Sequence, residues 1–449
     1  MAWYSKISDR YNQRQWMTLV VLALCNFCSC TYTSLLAPLY PPLATEKGLH
    51  PTFFGFVFGA FSFSAMLCSF LCGKFINNIG PKFMFGMSIF IMAVADIALG
   101  LLVYIEDILI FFGVSLTLRV VSSFGTGAML TARNTIIAKE FLDNAGFTFA
   151  ILEICIGLGM MVGPTVGGAL MEYGGFPLPF IVLGFIEFLS GIVSVMLLPT
   201  HDFVIEEDQS DSNFTHLLLN PKITYFCLAV FSASLSRGFY EVALENHLHL
   251  LGLTPVMIGS MFMLRGGTFT LSSPMFGFLC DKVMSPTYVV LVAASCGCIG
   301  FLLLGPVPFI PLTPTVTLCI IALSSLGIGG CGELVGGYTG SIRAALEDGL
   351  PDNIVTYGLV SGLWSTAYFL GDFLGPTITG FMIDNVGFGW SSTVILSLHS
   401  LVVLNIIIYL FLTLTCKIGN KNEGYGNVHK TYPKIENYDA GTSTAQLII

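Results

Sequence analysis

Long apolar runs separated by short polar breaks set the pattern of this chain. Twelve such runs lie at roughly 16–37, 53–75, 83–104, 108–131, 146–170, 178–198, 222–245, 256–280, 288–305, 313–338, 357–383 and 389–416. A helix rises about 1.5 Å per residue, so a run of ~20 residues crosses the hydrocarbon core of a bilayer. A transmembrane barrel would instead show alternating strands of about ten residues. The pattern therefore predicts an all-α membrane protein with twelve transmembrane helices, each pairing its own backbone polar groups. Pro38-Leu39-Tyr40-Pro41-Pro42 is expected to stop the first helix, because proline supplies no N–H to the ladder. The longest polar break, 199–221, holds His201, Asp202, Glu206-Glu207-Asp208 and Asp211 and reads as a solvated linker.

A repeat divides the runs into two sets of six. Gly163-Pro164-Thr165-Val166-Gly167-Gly168 returns as Gly375-Pro376-Thr377-Ile378-Thr379-Gly380, an offset of 212 residues in a chain of 449. A second repeat joins Gly73-Lys74-Phe75-Ile76-Asn77-Asn78-Ile79-Gly80-Pro81-Lys82 to Gly277-Phe278-Leu279-Cys280-Asp281-Lys282, at an offset of 204. In both, a glycine precedes Asn or Asp by four residues and a basic residue follows; the segments read as tight turns after runs two and eight. Repetition near half the chain length predicts two pseudo-symmetric six-helix bundles. The divisions are 1–15 (N-terminal lead), 16–198 (first half), 199–221 (acidic linker), 222–416 (second half) and 417–449 (a polar, Gly- and Asn-rich tail expected to be disordered).

Composition agrees with a lipid setting: 54% of residues are apolar and 10% charged, with mean hydropathy +0.81, where a soluble domain has about a quarter charged. The net charge of −9 says less than the placement of the basic residues. Of 18 Lys and Arg, 14 fall on the side reached by both termini, Arg133 among them at its edge, and only Lys47 falls opposite. The positive-inside rule makes that side, and both termini, cytosolic. No small-residue cleavage site follows the first run, so no signal peptide is expected. The sequon Asn213-Phe214-Thr215 then lies in the cytosol, where it is unused. Tyr425–Val428 and Tyr432–Ile435 each fit a Tyr-x-x-apolar sorting signal. Cys25 and Cys28 have CxxC spacing inside the first run, where packed small hydrophobes are the expectation.

Two six-helix halves, the glycine turns after runs two and eight, and Gly-Pro in runs five and eleven resemble the major facilitator superfamily. Pro81–Phe85, Pro179–Gly184, Ser272–Gly277, Leu303–Pro308 and Gly358–Leu363 resemble its vesicular amine transporter branch, closest to the vesicular polyamine transporter-like members. The similarity covers roughly residues 15–415. It implies the major facilitator fold and proton-coupled antiport of organic cations into acidic vesicles. Asn26 is the polar residue of run one, where monoamine members carry an acid. Asn77 stands where the family's turn motif has Asp, while Asp281 keeps the acid in the second copy. The resemblance therefore assigns the cytosolic gate to Gly277, Asp281 and Lys282 above Gly73, Asn77, Gly80 and Lys82, with Gly163-Pro164 and Gly375-Pro376 as packing motifs.

Ionisable groups inside a span are costly, which makes each one a candidate site. Glu153 leads: it lies eleven residues before Pro164, about 20° from the same helix face, and polyamine-type relatives are acidic there. It is expected to hold an amine or a proton; the structural alternative is a permanent pair with Arg119 or Arg133. Arg119 in run four is expected to tune Glu153, since arginine stays charged. Arg237, Glu241 and Glu245 form a stripe on run seven; Glu241 offers the second-half acceptor, or simply an intrahelical partner for Arg237. Arg265 in run eight is a further charge partner. Glu333 and Asp372 are substrate or proton candidates on runs ten and eleven. Glu187 is a weaker candidate at the run-six interface, and Asp96 reads as wet near a span end. Tyr338, Trp364 and Tyr368 can cage an ammonium by cation–π contact, against the bland expectation of packing.

No phosphate loop argues for ATP drive, no metal-ligand spacing occurs, and no basic stripe suits a nucleic acid. The reading is a transporter, not an enzyme, with no cofactor or metal. Its partners are a small organic cation, protons and the bilayer, and it acts as a monomer in a vesicular or endolysosomal membrane, or the plasma membrane. Two alternatives stay open: the same fold carrying an anionic or neutral drug-like solute, and a non-transporting membrane sensor or scaffold.

Overall fold

The computed structural model describes residues 11–49, 51–198, 217, 220–305, 307 and 313–428. The acidic run 201–211, the sequon and the Tyr432 signal lie outside the described residues. Helices follow one another in chain order: α1 (Gln13–Glu46), α2 (Pro51–Ile79), α3 (Pro81–Gly100), α4 (Ile108–Glu140), α5 (Ala145–Gly174), α6 (Pro177–Leu197), α7 (Pro221–Leu250), α8 (Pro255–Phe278), α9 (Pro286–Leu304) and α10 (Val316–Glu347). The last helical stretch, Ile354–Val428, breaks where Gly387 takes φ 76°. That break separates α11 (354–386) from α12 (388–428), which gives the twelve expected helices among the described residues.

Nine of these are long and apolar enough to cross a membrane by length and composition. The three below that mark are α7, α8 and α11, which carry Arg237, Glu241 and Glu245, Arg265, and Asp372. Charged groups dilute their apolar pattern, and Arg237 pairs with both Glu241 and Asp372.

Several helix ends differ from expectation. The proline cluster does not stop α1: Pro38, Pro41 and Pro42 lie inside a helix that runs on to Glu46. Neighbouring helices and hydroxyl side chains can satisfy carbonyls that proline leaves free, and Thr45 Oγ1 bonds Pro41 O at 2.9 Å. The Gly73–Asn78 segment is not a turn but the last turns of α2, with the chain reversal delayed to Gly80 at φ 87°. α12 runs on beyond Lys417, where the polar tail begins, as far as Val428, and takes in the Tyr425–Val428 segment. Cys25 and Cys28 are buried, free thiols, as expected of small packed groups.

By compactness the chain divides into Met1–Leu404 and Asn405–Ile449. Within the first unit, α1 packs on α5 and α6, α4 packs on α2 and α3, and α10 packs on α7, α8 and α9. The Gly-Pro repeat explains two of the tightest crossings. A Cβ on Gly163 would lie 2.2 Å from Thr31 O on α1, and one on Gly375 would lie 2.7 Å from Leu235 O on α7. Only glycine permits backbones this close, so the repeated motif does the same work on α1 and on α7.

Candidate functional site

Arg133 organises the centre of the first six helices. Its side chain is wholly buried, not at a wet edge as its position in the sequence suggested. Nη1 donates to Asn26 Oδ1 on α1 at 3.0 Å, Nε donates to Asn134 Oδ1 at 3.0 Å, and Nη2 reaches Glu153 Oε1 on α5 at 3.4 Å. The guanidinium also lies over the Phe149 ring, 5.2 Å from its centroid. Burial makes this network necessary: a buried guanidinium keeps its charge and needs acceptors. Asn26 completes it by donating Nδ2 to Leu22 O.

Arg119 does not tune Glu153. Its guanidinium sits 4.0 Å from the Phe61 ring centroid, and the carboxylate that faces it is Asp96. Asp96 in turn is 1% exposed, so it is not wet. It lies with Glu187, whose Oε1 accepts from Ser29 Oγ on α1 at 2.6 Å. The small neighbours of Arg119 on α4, Ser122 and Ser123, are buried with it, which is how α4 accommodates the charge.

A second cluster bridges α2, α7 and α11. Arg237 pairs with Asp372 on α11 and, at 3.2 Å, with Glu241 one turn along its own helix. Asp372 Oδ2 accepts from Ser62 Oγ on α2 at 2.7 Å. The intrahelical pair weighed for the α7 stripe is therefore present, and Arg237 has Asp372 as a tertiary partner as well. Glu241 remains the open member, with its side chain 47% exposed. Arg237 also lies close enough to Glu153 to act on it electrostatically, which brings the two clusters near one another.

The expected aromatics come together between these clusters. Tyr338, Trp364 and Tyr368 form a ladder with Phe149: Phe149 stacks on Tyr338 with centroids 4.6 Å apart, and Trp364 stacks on Tyr368 at 5.6 Å. Tyr338 and Trp364 are fully buried, and the Tyr338 hydroxyl donates to Asn134 O. Those two rings pack, as the bland reading held. Tyr368 is half-buried, stacked on Trp364 with the Arg237 guanidinium 5.7 Å from its ring centroid.

Glu333 stands apart from this space, buried on α10 against His399 of α12 at 2.9 Å. Arg265 lies over the Tyr240 ring, 3.9 Å from its centroid. A small cavity is lined by Ser236, Tyr240, Arg265, Gly297, Leu326 and His399.

The end of the bundle that carries Lys74, Lys82 and Lys282 is packed shut. A Cβ on Gly73 of α2 would lie 2.8 Å from Gly362 Cα of α11, and one on Gly277 would lie 2.7 Å from Phe147 Cα of α5. Asp281, just past α8, accepts from the first amides of α5, Gly146 N at 3.0 Å and Phe147 N at 2.8 Å. It also faces Arg343 at 3.7 Å. A carboxylate at a helix N-terminus meets both free N–H groups and the positive dipole end. Burial pushes the Asp281 carboxyl up, while those amides and Arg343 pull it back. Lys282 Nζ bonds Asp143 O at 3.3 Å. Asn77 in the first copy is half-buried and has no such helix terminus in its hydrogen bonding among the described residues.

Phe149, Ser62 and His399 belong to these clusters, and the sequence pattern singled out none of them. Phe149 and Ser62 are ordinary members of apolar helices. His399 carried one unused signal: it lies 212 residues after Glu187, the offset of the Gly-Pro repeat.

Comparison with known proteins places this geometry. The profile of the Major Facilitator Superfamily matches residues 22–354. The MFS-type transporter SLC18B1 of Mus musculus is 32% identical over 390 residues, covering 86% of this chain and 84% of that protein. The synaptic vesicular amine transporter of Bos taurus is 24% identical over 281 residues, covering 62% of this chain and 52% of that protein. Among solved structures, the human organic anion transporter MFSD10 superposes with a TM-score of 0.67 at 15% identity, over 88% of this chain and all of that one. FucP in the outward conformation gives 0.64 at 13% identity, over 87% and 98%. These likenesses bear out the twelve-helix fold and the resemblance to the vesicular amine transporter branch.

Proposed function

The chain belongs to the Major Facilitator Superfamily, a multi-pass membrane transporter and not an enzyme, and we propose that it exchanges protons for an organic cation, polyamine-like or another amine, by alternating access. The observation that carries this reading is the buried Glu153 carboxylate, one oxygen of which meets Arg133, with Glu241 and Tyr368 beside Arg237 in the second half. A cation needs acceptors from both halves, and Glu153 on α5 with Glu241 on α7 supplies them. The half-buried Tyr368 adds a ring face suited to an ammonium group. A carboxylate that alternates between amine and proton is a sufficient exchange device. The similarity to a protein named a synaptic vesicular amine transporter supports the same class of substrate.

On this reading the packed, basic end is cytosolic, both termini lie there, and the central space opens to the lumen of an acidic vesicle or endolysosome. Asp281 then latches α8 onto α5 in the lumen-facing state, with Asn77 contributing little. The chain acts as a monomer. A second reading, an anionic solute, draws on Arg265, whose Nε has no hydrogen-bond partner among the described residues.

Uptake into proteoliposomes with an acidic interior tests the proposal. Labelled spermidine, spermine or a monoamine should accumulate, and accumulation should collapse with the pH gradient. Failure of all three with folded protein overturns the amine reading, and competition by organic anions favours the second one.

A further inference from the structure

Behind the space just described, α7, α10 and α12 bring a buried imidazole and a buried carboxylate together. His399 is 2% exposed and Glu333 wholly buried. His399 Nδ1 lies 2.9 Å from Glu333 Oε1, and Nε2 lies 2.7 Å from Ser236 Oγ. The Ser236 hydroxyl also lies 2.7 Å from Ser232 O. A carboxylate oxygen faces Nδ1, and a hydroxyl that can turn its proton to Ser232 O faces Nε2. Both ring nitrogens can therefore meet acceptors, an arrangement that the imidazolium satisfies by donating from both.

We propose that His399, held between Glu333 and Ser236, is a proton-binding site of this transporter, separate from the Glu153 centre. Its role as a coupling site rests on the proton-exchange reading above. Charged and titratable groups surround it from each packed helix: Tyr240 on α7, Arg265 on α8, Cys296 and Cys298 on α9, and Glu333 on α10. The other charged groups near α7, Arg237 and Glu241, are engaged with each other. Arg265 and Glu333 cancel, so binding a proton at His399 takes the cluster from neutral to singly positive. A small cavity touches the ring.

Gly297 is what seats the ring. A Cβ there would lie 2.7 Å from His399 Nδ1, so any side chain at 297 pushes the imidazole off Glu333. The corresponding place among the first six helices has the same build. Ser29 on α1 bonds Glu187 on α6 at 2.6 Å, and Glu187 precedes His399 by the 212 residues of the Gly-Pro repeat. Both positions hold a titratable group against a serine of the first helix of the set. One carries a carboxyl facing Asp96, the other an imidazole facing Glu333.

The experiment uses the full chain in lipid nanodiscs with ¹⁵N-labelled histidine. The signal that vanishes in His399→Gln should pass from the doubly protonated to the singly protonated form across the pH series recorded. A residue-399 signal that stays in one form throughout overturns the proposal. Gly297→Ala keeps the imidazole but displaces it; its titration should shift from that of the native chain, and an unshifted curve overturns the clamp by Glu333 and Ser236. In proteoliposomes, His399→Gln should lose acid-driven spermidine accumulation and keep spermidine–spermidine exchange. Native-level accumulation in that variant overturns the coupling role. If the native chain moves none of spermidine, spermine and a monoamine, the amine reading fails, while the histidine titration still decides whether the proton site exists.

Discussion

The Arg133 guanidinium on α4 reaches the Glu153 carboxylate on α5 at 3.4 Å, with both side chains inside the bundle. Removing one member of a buried pair leaves the other uncompensated, at a cost of about 3–5 kcal/mol. Glu153→Ala should therefore lower the melting temperature in detergent sharply. Arg133→Gln with Glu153→Gln together should melt closer to the native chain than Glu153→Ala or Arg133→Ala alone. Equal losses in the single and double variants would show that the pair is not what each residue stabilises.

Arg133 also shows where sequence reading stopped. The Gly-Pro repeat was legible as close packing because glycine spacing reports directly on backbone approach, and Gly163 and Gly375 do meet Thr31 and Leu235. Glu153, Asp372 and Glu333 were legible as interior charges because apolar surroundings make any charge conspicuous. Which charge meets which was not, since pairing is set by rotations of separate helices. Arg119 and Arg133 are fourteen residues apart on one helix, and only the packing of α5 against α4 decides that Glu153 takes the second. His399 was hidden because one imidazole in a long apolar run scarcely changes its pattern.

The two copies of the turn motif should differ in weight. Asp281 accepts from two amides at the α5 N-terminus, and hydrogen bonds to a charged group contribute about 1.5–3 kcal/mol each. Asp281→Ala should slow transport strongly, whereas Asn77→Ala should leave the rate close to native. Rates in the reverse order would contradict the assignment of the gate to the second copy.

A side chain at Gly73 should open the packed end. Its Cβ would fall 2.8 Å from Gly362 Cα, and overpacking of this kind costs about 1–3 kcal/mol. Spin labels at the exposed positions Ile79 and Asp352 should show longer distances gaining population in Gly73→Val. An unchanged distance distribution would mean that the α2–α11 crossing does not hold this end closed.

The aromatic ladder should split by function. Trp364 is buried between Phe149, Tyr338 and Tyr368, so Trp364→Ala should destabilise the chain by about 3–5 kcal/mol. Tyr368→Ala should melt near the native temperature yet bind spermidine several-fold more weakly, as expected for loss of a cation–π contact of about 1–2 kcal/mol. Calorimetric titration and thermal melting together check this; native affinity in Tyr368→Ala would remove that ring from the site.

Proton exchange for an organic cation is tested most directly by watching the proton. Acid-loaded proteoliposomes carrying a trapped pH dye are mixed with spermidine. The account predicts lumenal alkalinisation on addition of spermidine with the native chain, and none above background with Glu153→Gln. An equal signal from the Glu153→Gln variant, or spermidine uptake by the native chain with no proton movement, would contradict it.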